Sequence, residues 1–454
     1  MRTLGIIVGM LICIMLTSCS NKSKEPWVDL FNGKDLSGWV QRNGEAVYEV
    51  NNGVIIGKTV LHTPNSFLCT EKNYGDFILE YEAKVDPSLN SGVQIRSESN
   101  PDFRDGRVHG YQIELDPSDR AWSAGIYDEA GRGWLYPLDL NPSAASAFIP
   151  DDWNRFRVEC IGSHIKTFLN GIAVANLYDE HTAEGFIALQ VHAVGDDPEK
   201  EGIEVMWRNI RIITNNVKEY ETASSAPVFS RLVNKLTPEE MEEGWKLLFD
   251  GKSNDGWRGA YKEKFPDHGW VIADGSMTVL QSDGAESQNG GDIVTMDQYS
   301  DFDIQLEFKI TRGANSGIKY FVTEAEVGKT MSAIGLEYQI LDDQVHPDAK
   351  LGSHEGSRTL ASLYDLIAAS DSKRFYGVGV WNSARIVSNG RHVEHYLNGI
   401  KVLEYERGSE AFRKLVSESK YKVWNNFGEA AEGHILLQDH GNEVSFRSIK
   451  IMEL

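Results

Sequence analysis

Two stretches of this chain place acids and amides at the spacing of one strand face. Residues i and i+2 of a strand point the same way. Gly110, Gln112, Glu114 and Asp116 therefore share a face, with Tyr111, Ile113 and Leu115 on the other. Farther on, Gly335, Glu337 and Gln339 share a face, opposite Leu336, Tyr338 and Ile340. Neighbouring acids and amides offer paired acceptors and donors, which suits the hydroxyls of a sugar. The plain alternative is a solvated sheet face. A second pair of strands adds cations. Gly92, Gln94 and Arg96 align on one face, as do Gly317, Lys319 and Phe321. A cation beside carboxylates can hold a ketone oxygen or the oxyanion formed from it; on an open surface the same pair is only a weak salt bridge. Phe321 in place of Arg96 makes the two faces inequivalent.

Further candidates recur in pairs. Gln190 and His192 point the same way from their strand, as do Gln438 and His440. Histidine carries protons near neutral pH; it can equally serve only to bond a nearby loop. Tyr127-Asp128 and Tyr364-Asp365 each join a phenol to a carboxylate, and Trp134 and Tyr136 offer rings for stacking on a sugar or for anchoring a loop. One cluster has no counterpart: Asp342, Asp343, His346 and Asp348, followed by His354 and Arg358. Carboxylate and imidazole suit a divalent cation. The spacing matches no zinc or calcium-loop motif, so the metal is unknown, and an acidic turn before Pro347 accounts for the same residues.

These residues come in pairs because the chain is written twice. Leu30-Phe31-Asn32-Gly33-Lys34 with Gly38-Trp39 returns as Leu248-Phe249-Asp250-Gly251-Lys252 with Gly256-Trp257. Asn90-Ser91-Gly92-Val93 returns as Asn315-Ser316-Gly317-Ile318. Trp153-Asn154 through Leu169-Asn170-Gly171 matches Trp381-Asn382 through Leu397-Asn398-Gly399 without a gap. Such an order is a tandem duplication: residues 27–214, then a linker over 215–244, then 245–454. In the linker, Thr237 caps a helix with Pro238 in its first turn. Each copy reads as strands. Phe77 to Val85 alternates apolar and polar, and both Asn170-Gly171 and Asn398-Gly399 are type I′ hairpin signals. Many short strands with turns between them predict an all-β fold of two antiparallel sheets per copy. Helical periodicity is scarce outside the N-terminal leader and the linker.

The chain has 454 residues, 41% hydrophobic and 25% charged, with net charge −22. That composition is globular, and a field of that sign argues against nucleic acid as a partner. Arg2 followed by the apolar run Leu4 to Leu16 reads as a signal peptide over 1–18. Leu16-Thr17-Ser18-Cys19 resembles the bacterial lipobox, which implies lipidation of Cys19 and a polar tether over 19–26. The membrane would then be a partner through the lipid anchor only. Ser20 after the cysteine implies the outer membrane of a Gram-negative envelope. Cys69 and Cys160 remain, either as a disulfide or as buried thiols. No phosphate loop or nucleophile elbow is present in the sequence.

Taken together, the Leu-Phe-Asn/Asp-Gly-Lys, Asn-Ser-Gly, Gly-x-Gln/Glu-x-Glu/Gln and Leu-Asn-Gly motifs resemble the 3-keto-disaccharide hydrolase domain family in both copies. The resemblance implies two concanavalin-like jelly-roll sandwiches in tandem. It also implies an enzyme, a hydrolase or lyase, whose substrate is a glycoside or oligosaccharide oxidised to a ketone at sugar carbon 3. The stretch from Tyr338 through Lys350 is then a version of the family's site loop, which favours the second copy for catalysis. The ketone acidifies the neighbouring hydrogen, so Glu337, Asp342 or His346 is the expected base, with Lys319 at the ketone. Glu114 or Asp116 with Arg96 would do the same in the first copy. Gln112, Gln339, Tyr127, Asp128, Trp134, Gln190, His192, Tyr364, Asp365, Arg358, Gln438 and His440 are the expected substrate contacts. No cofactor is required by this reading, although a divalent cation is compatible with it. Two other functions remain open: a conventional jelly-roll glycosidase using Glu114 and Asp116, and a non-catalytic tandem carbohydrate-binding lipoprotein.

Overall fold

The computed structural model describes residues 26–282, 287, 289–327 and 330–454. The expected signal peptide over 1–18, Cys19 and nearly all of the expected tether over 19–26 lie outside the described residues. Each copy builds two antiparallel sheets. In the first copy the larger sheet runs Ile172–Tyr178, His164–Leu169, Asn154–Ile161, Phe77–Val85, Glu204–Ile213, Val54–Lys58, Val47–Asn51. The second copy repeats that order with Ile400–Glu406, His392–Leu397, Asn382–Asn389, Phe302–Ile310, Val444–Glu453, Ser276–Val279, Trp270–Ala273. The smaller sheets also correspond. His109–Leu115, Ser91–Glu98, Phe186–Val191, Ser66–Thr70, Trp39–Arg42 match Thr330–Leu341, Asn315–Val327, His434–Leu437, Ile293–Thr295, Trp257–Gly259. The first copy extends this sheet with Ile126–Glu129 and Gly133–Tyr136. In the second, residues 342–381 run mainly as turns and loops instead.

Alternation decides which side chains meet. Leu79, Phe156 and Val158 of the larger sheet share one apolar cluster with Val93, Tyr111, Ile113 and Leu189 of the smaller. In the second copy Ile304, Phe308 and Phe446 meet Ile318, Tyr338, Ile340 and Leu437 in the same way. Burying each such side chain stabilises by about 1.5–3 kcal/mol, and the inward set leaves the opposite face of each smaller sheet for polar residues. The Asn-Gly pairs turn as expected: Asn170 and Gly171 have φ of 50° and 84°, Asn398 and Gly399 of 49° and 82°, both left-handed as a type I′ hairpin requires.

The linker is ordered against both copies. Thr237 and Glu240 form a reciprocal capping box on the helix Pro238–Glu243. Tyr178 Oη of the first copy donates to Glu239 at 2.8 Å, and Lys450 of the second pairs with Glu240. Cys69 and Cys160 are separate buried thiols, and burial pushes both up to about 12. One helix departs from the all-strand reading. Glu410–Glu418 starts at Ser409, whose hydroxyl accepts from the Phe412 N–H at 3.1 Å; Phe412, Leu415 and Val416 give it a short apolar stripe packed on the core. No helix among the described residues is long and apolar enough to cross a membrane.

Candidate active sites

The Asn-Ser-Gly motif builds both sites, and each of its residues has a separate task. Ser91 Oγ donates to the Gln190 carbonyl at 2.7 Å, and Ser316 Oγ to that of Gln438 at 2.8 Å, which locks the register between neighbouring strands. Gly92 and Gly317 leave room for a side chain from the other neighbour. A Cβ on Gly92 would meet Gln112 at 2.6 Å, and one on Gly317 would meet Glu337 Oε1 at 2.5 Å. Asn90 and Asn315 join the sites themselves.

In the first copy, Gln112 and Glu114 floor a cavity of about 500 Å3, with Asn90, Tyr127, Trp134, Gln190 and His192 in its walls. Asn90 Nδ2 donates to Glu114 Oε1 at 2.5 Å and Gln112 Nε2 to Glu114 Oε2 at 2.9 Å. Burial pushes the Glu114 carboxyl up despite these bonds and Arg120 beside it. Gln94 donates to Gln112 at 2.6 Å. His192 Nδ1 lies 2.7 Å from the Ala193 carbonyl, which makes Nδ1 the donor and leaves Nε2 for another partner. Gln190 is fully buried, and neither end of its amide has a protein partner.

In the second copy, a cavity of about 240 Å3 is lined by Asn315, Lys319, Glu337, Tyr364, Gln438 and His440. Lys319 and Glu337 are directly opposed across adjacent strands, and Lys319 Nζ is 3.8 Å from Asp292. The Gln339 amide, oriented to satisfy its neighbours, donates to Glu337 Oε1 at 3.2 Å. This mirrors the Gln112–Glu114 bond with the acid and the amide exchanged. Tyr364 donates to Asp348 Oδ2 at 2.8 Å, and Lys420 Nζ lies 4.2 Å over its ring. Burial and the Asp348 carboxylate both push the Tyr364 phenol upward, so it stays a donor at neutral pH. The Asn315 amide, turned together with that of Gln339, lies 3.3 Å from His440 Nε2.

Several expected site residues sit elsewhere. Arg96 is 1% exposed and donates to the Gly75 and Gly162 carbonyls at 2.8 and 2.7 Å, and to Asp76 at 3.0 Å. Its φ of 44° marks a bulge, which breaks the i, i+2 parity and turns the guanidinium off the site face. Phe321, with φ of 52°, is the matching bulge, and it packs 3.6 Å beneath the Arg407 guanidinium. Asp116 accepts from Ser118 and from Arg120 Nε at 2.7 Å and does not line the first cavity. Asp342 accepts from the Gly313 and Gln344 N–H groups at 2.8 and 3.2 Å; it shapes a turn. His346 caps the turn at Pro347 through the Asp348 N–H. Its ring stands 6.5 Å from that of His440, and burial lowers its basicity despite nearby Asp348. Arg358 bridges Asp348 and Asp365 at 2.7 and 2.8 Å, behind Tyr364. Asp128 bonds Arg132 Nε at 2.5 Å. Tyr136 is buried in the core.

The acidic cluster after Leu341 therefore spends its carboxylates on backbone N–H groups, Lys373 and Arg358. Among the described residues, the trio able to converge on a cation is His392, Glu394 and Glu404, with ligand atoms within 4.8 Å of one another. It lies on the larger sheet, where Lys401 already pairs with both carboxylates.

Other lining residues escaped the sequence reading. Asn90 and Asn315 stood in a motif but outside the i, i+2 argument. Lys420, Tyr421 and Trp424 wall the second cavity. They come from the segment around the helix Glu410–Glu418, and the signal for it is that Gly399 to Glu432 is about twenty residues longer than Gly171 to Glu184.

Residues 26–213 and 244–452 each match the family of 3-keto-alpha-glucoside-1,2-lyase-like domains. A 3-keto-disaccharide hydrolase of Bacteroides thetaiotaomicron is 37% identical over 234 residues, spanning 47% of this chain and 79% of that protein. Among solved structures, a candidate glycosyl hydrolase from Parabacteroides distasonis shares 32% identity at a TM-score of 0.43, covering 49% of this chain and 100% of the other. A second one from that organism shares 28% at 0.35, covering 46% and 99%.

Proposed function

We propose, from the premise that this chain belongs to the 3-keto-alpha-glucoside-1,2-lyase-like domain family through both copies, that the second cavity carries the chemistry. The chain is a glycoside-acting hydrolase or lyase of keto-sugars, in line with its 3-keto-disaccharide hydrolase relative. A ketone at sugar carbon 3 acidifies the hydrogen on carbon 2. Glu337 takes that proton while Lys319 holds the oxygen on which negative charge develops. The electron pair closes a double bond between carbons 2 and 1 as the bond from carbon 1 to the leaving oxygen breaks. His440 gives that oxygen its proton. Water then adds at carbon 1 and carbon 2 regains a proton, for net hydrolysis.

The observation that carries this reading is Lys319 opposed to Glu337 on the floor of a walled cavity. The first copy has Gln94 and Gln112 at those positions, which supports binding there rather than chemistry. The conventional glycosidase loses its pair, because the Asp116 carboxylate is held by Ser118 and Arg120. A rate comparison of a 3-keto-glucoside with its parent glucoside tests the proposal. Turnover of the keto-sugar alone, abolished in Glu337→Gln, is expected; equal turnover of both sugars overturns it.

Two matched sheets around one core in each copy support the finer assignment to concanavalin-like jelly rolls. The lipobox-like Leu16 to Cys19 supports an acylated Cys19 and a place on the outer membrane. Mass spectrometry of the mature N-terminus checks the acylation.

A further inference from the structure

Between the two copies lies a cleft of about 1040 Å3, lined by Arg120, Trp122 and Trp134 of the first copy, Arg231 of the linker, and Tyr376 and Trp381 of the second. Sites that bury a whole drug-sized ligand run to about 1,000 Å3, so this volume exceeds what one or two sugar rings need. Arg120 and Trp134 also line the first cavity, so the two spaces are neighbours that share these side chains. The rings are held in place by cations. Arg120 lies 4.9 Å over both Trp122 and Trp134, Arg374 lies 5.2 Å over Trp122, and Arg447 lies 4.1 Å over Trp381. Arg374 also pairs with Asp139 of the first copy, which ties the walls together.

What these walls leave unpaired is a set of donors. Among the described residues, the half-buried Arg231 guanidinium and the Tyr376 hydroxyl, close enough to feel each other's field, make no side-chain hydrogen bond or ion pair, and neither do the indole N–H groups of Trp122, Trp134 and Trp381. Aromatic edges and donors around a space of this volume suit rings whose rims are rich in oxygen acceptors. At the inner end, the buried Gln190 amide faces the first cavity with both ends unbonded, ready for a hydroxyl that donates and accepts.

We infer that this cleft is a binding groove for an oligosaccharide of three or more rings, whose terminal unit enters the first cavity, separate from the catalytic cavity of the second copy. This rests on the chain acting on carbohydrate, but not on Glu337 being the base. Titration calorimetry on the full chain carrying Glu337→Gln tests it, with gluco-oligosaccharides and galacturono-oligosaccharides of two to six units. Affinity is expected to rise at least tenfold from dimer to tetramer in one series. A rise in the first series marks a neutral glycan; a rise in the second marks an acidic one held by Arg231. Tyr376→Phe, which removes only an oxygen, and Arg231→Gln are each expected to weaken the hexamer of that series three- to tenfold. Affinity independent of length in both series overturns the groove, as does a hexamer affinity that neither variant changes. Failure of the wild-type chain to turn over a keto-glucoside would remove the catalytic assignment and leave this result standing.

Discussion

Gly317→Ala moves the proposed base without altering any functional group. A Cβ on Gly317 would stand 2.5 Å from Glu337 Oε1, and 2.9 and 3.0 Å from its Cγ and Cδ. Ordinary contact begins at 3.4 Å, so the carboxylate must retreat by about 0.9 Å. Misplacing a reacting group by about 1 Å costs about 10²-fold in rate, or about 2.7 kcal/mol of transition-state stabilisation. Stability changes less. The overpacking cost of about 1–3 kcal/mol falls on the free end of a side chain, and alanine offsets about 0.4–1 kcal/mol of it by stiffening the unfolded chain. The second copy's unfolding transition should therefore drop by only a few degrees, at about 2–4 °C per kcal/mol. The assay is kcat on a 3-keto-glucoside, paired with calorimetry on the same sample. Gly92→Ala is the matched control, since its Cβ would meet Gln112 at 2.6 Å; kcat should stay within about twofold of wild type. A Gly317→Ala enzyme with undiminished kcat, or an equal loss in Gly92→Ala, would refute the placement of the base.

Three further outcomes follow from the structure. Lys319→Met removes the cation proposed to hold the ketone oxygen and should lower kcat about 10²–10³-fold with little change in KM; steady-state kinetics at saturating keto-glucoside reads this directly. Arg96→Ala should leave keto-glucoside turnover intact yet cost the first copy about 2–4 kcal/mol, because the Gly75 and Gly162 carbonyls lose a buried charged donor; urea unfolding measures it. His395 is fully buried between Tyr320 and the Ala361 carbonyl, and burial lowers its pKa from 6.5 to about 4. The unfolded chain therefore binds this proton first as pH falls. The second copy keeps this stability above pH 6.5 and loses it progressively down to about pH 4, by up to about 3 kcal/mol. Unfolding followed from pH 7 to pH 4 should show the loss, reduced in His395→Gln.

Parity along a strand was legible wherever the strand stayed regular. Gln112, Glu114, Lys319 and Glu337 reach their cavities because nothing interrupts the alternation between them and the core residues Ile113, Ile318 and Tyr338. One step past the regular region the same rule fails, since Arg96 and Phe321 occupy bulges. A bulge leaves no mark in hydrophobic periodicity, because the extra residue depends on pairing with a distant strand. The acids after Leu341 misled for a related reason: a local cluster of carboxylates serves backbone N–H groups as readily as a metal. Lys420 and Trp424 arrive from a segment that only the unequal spacing of the repeats could reveal, and its docking side was not encoded locally.

The exchange of acid and amide between the copies explains why their conserved frame need not conserve chemistry. Abstraction of the carbon 2 hydrogen and stabilisation of charge at the carbon 3 oxygen act on adjacent atoms, so base and cation must converge. Directly opposed strand residues have Cβ atoms about 4.5–5.5 Å apart, and Lys319 with Glu337 meets that condition. In the first copy Glu114 stands one pair farther along, opposite Gly92, while Gln94 opposes Gln112. Its carboxylate is thus about 7 Å along the strand from the position opposite a cation, and no lysine is there to meet it. A buried carboxyl held by Asn90, Gln112 and Arg120 can grip hydroxyls, whereas removing a carbon-bound proton requires the charge compensation that only the second copy places across the strand.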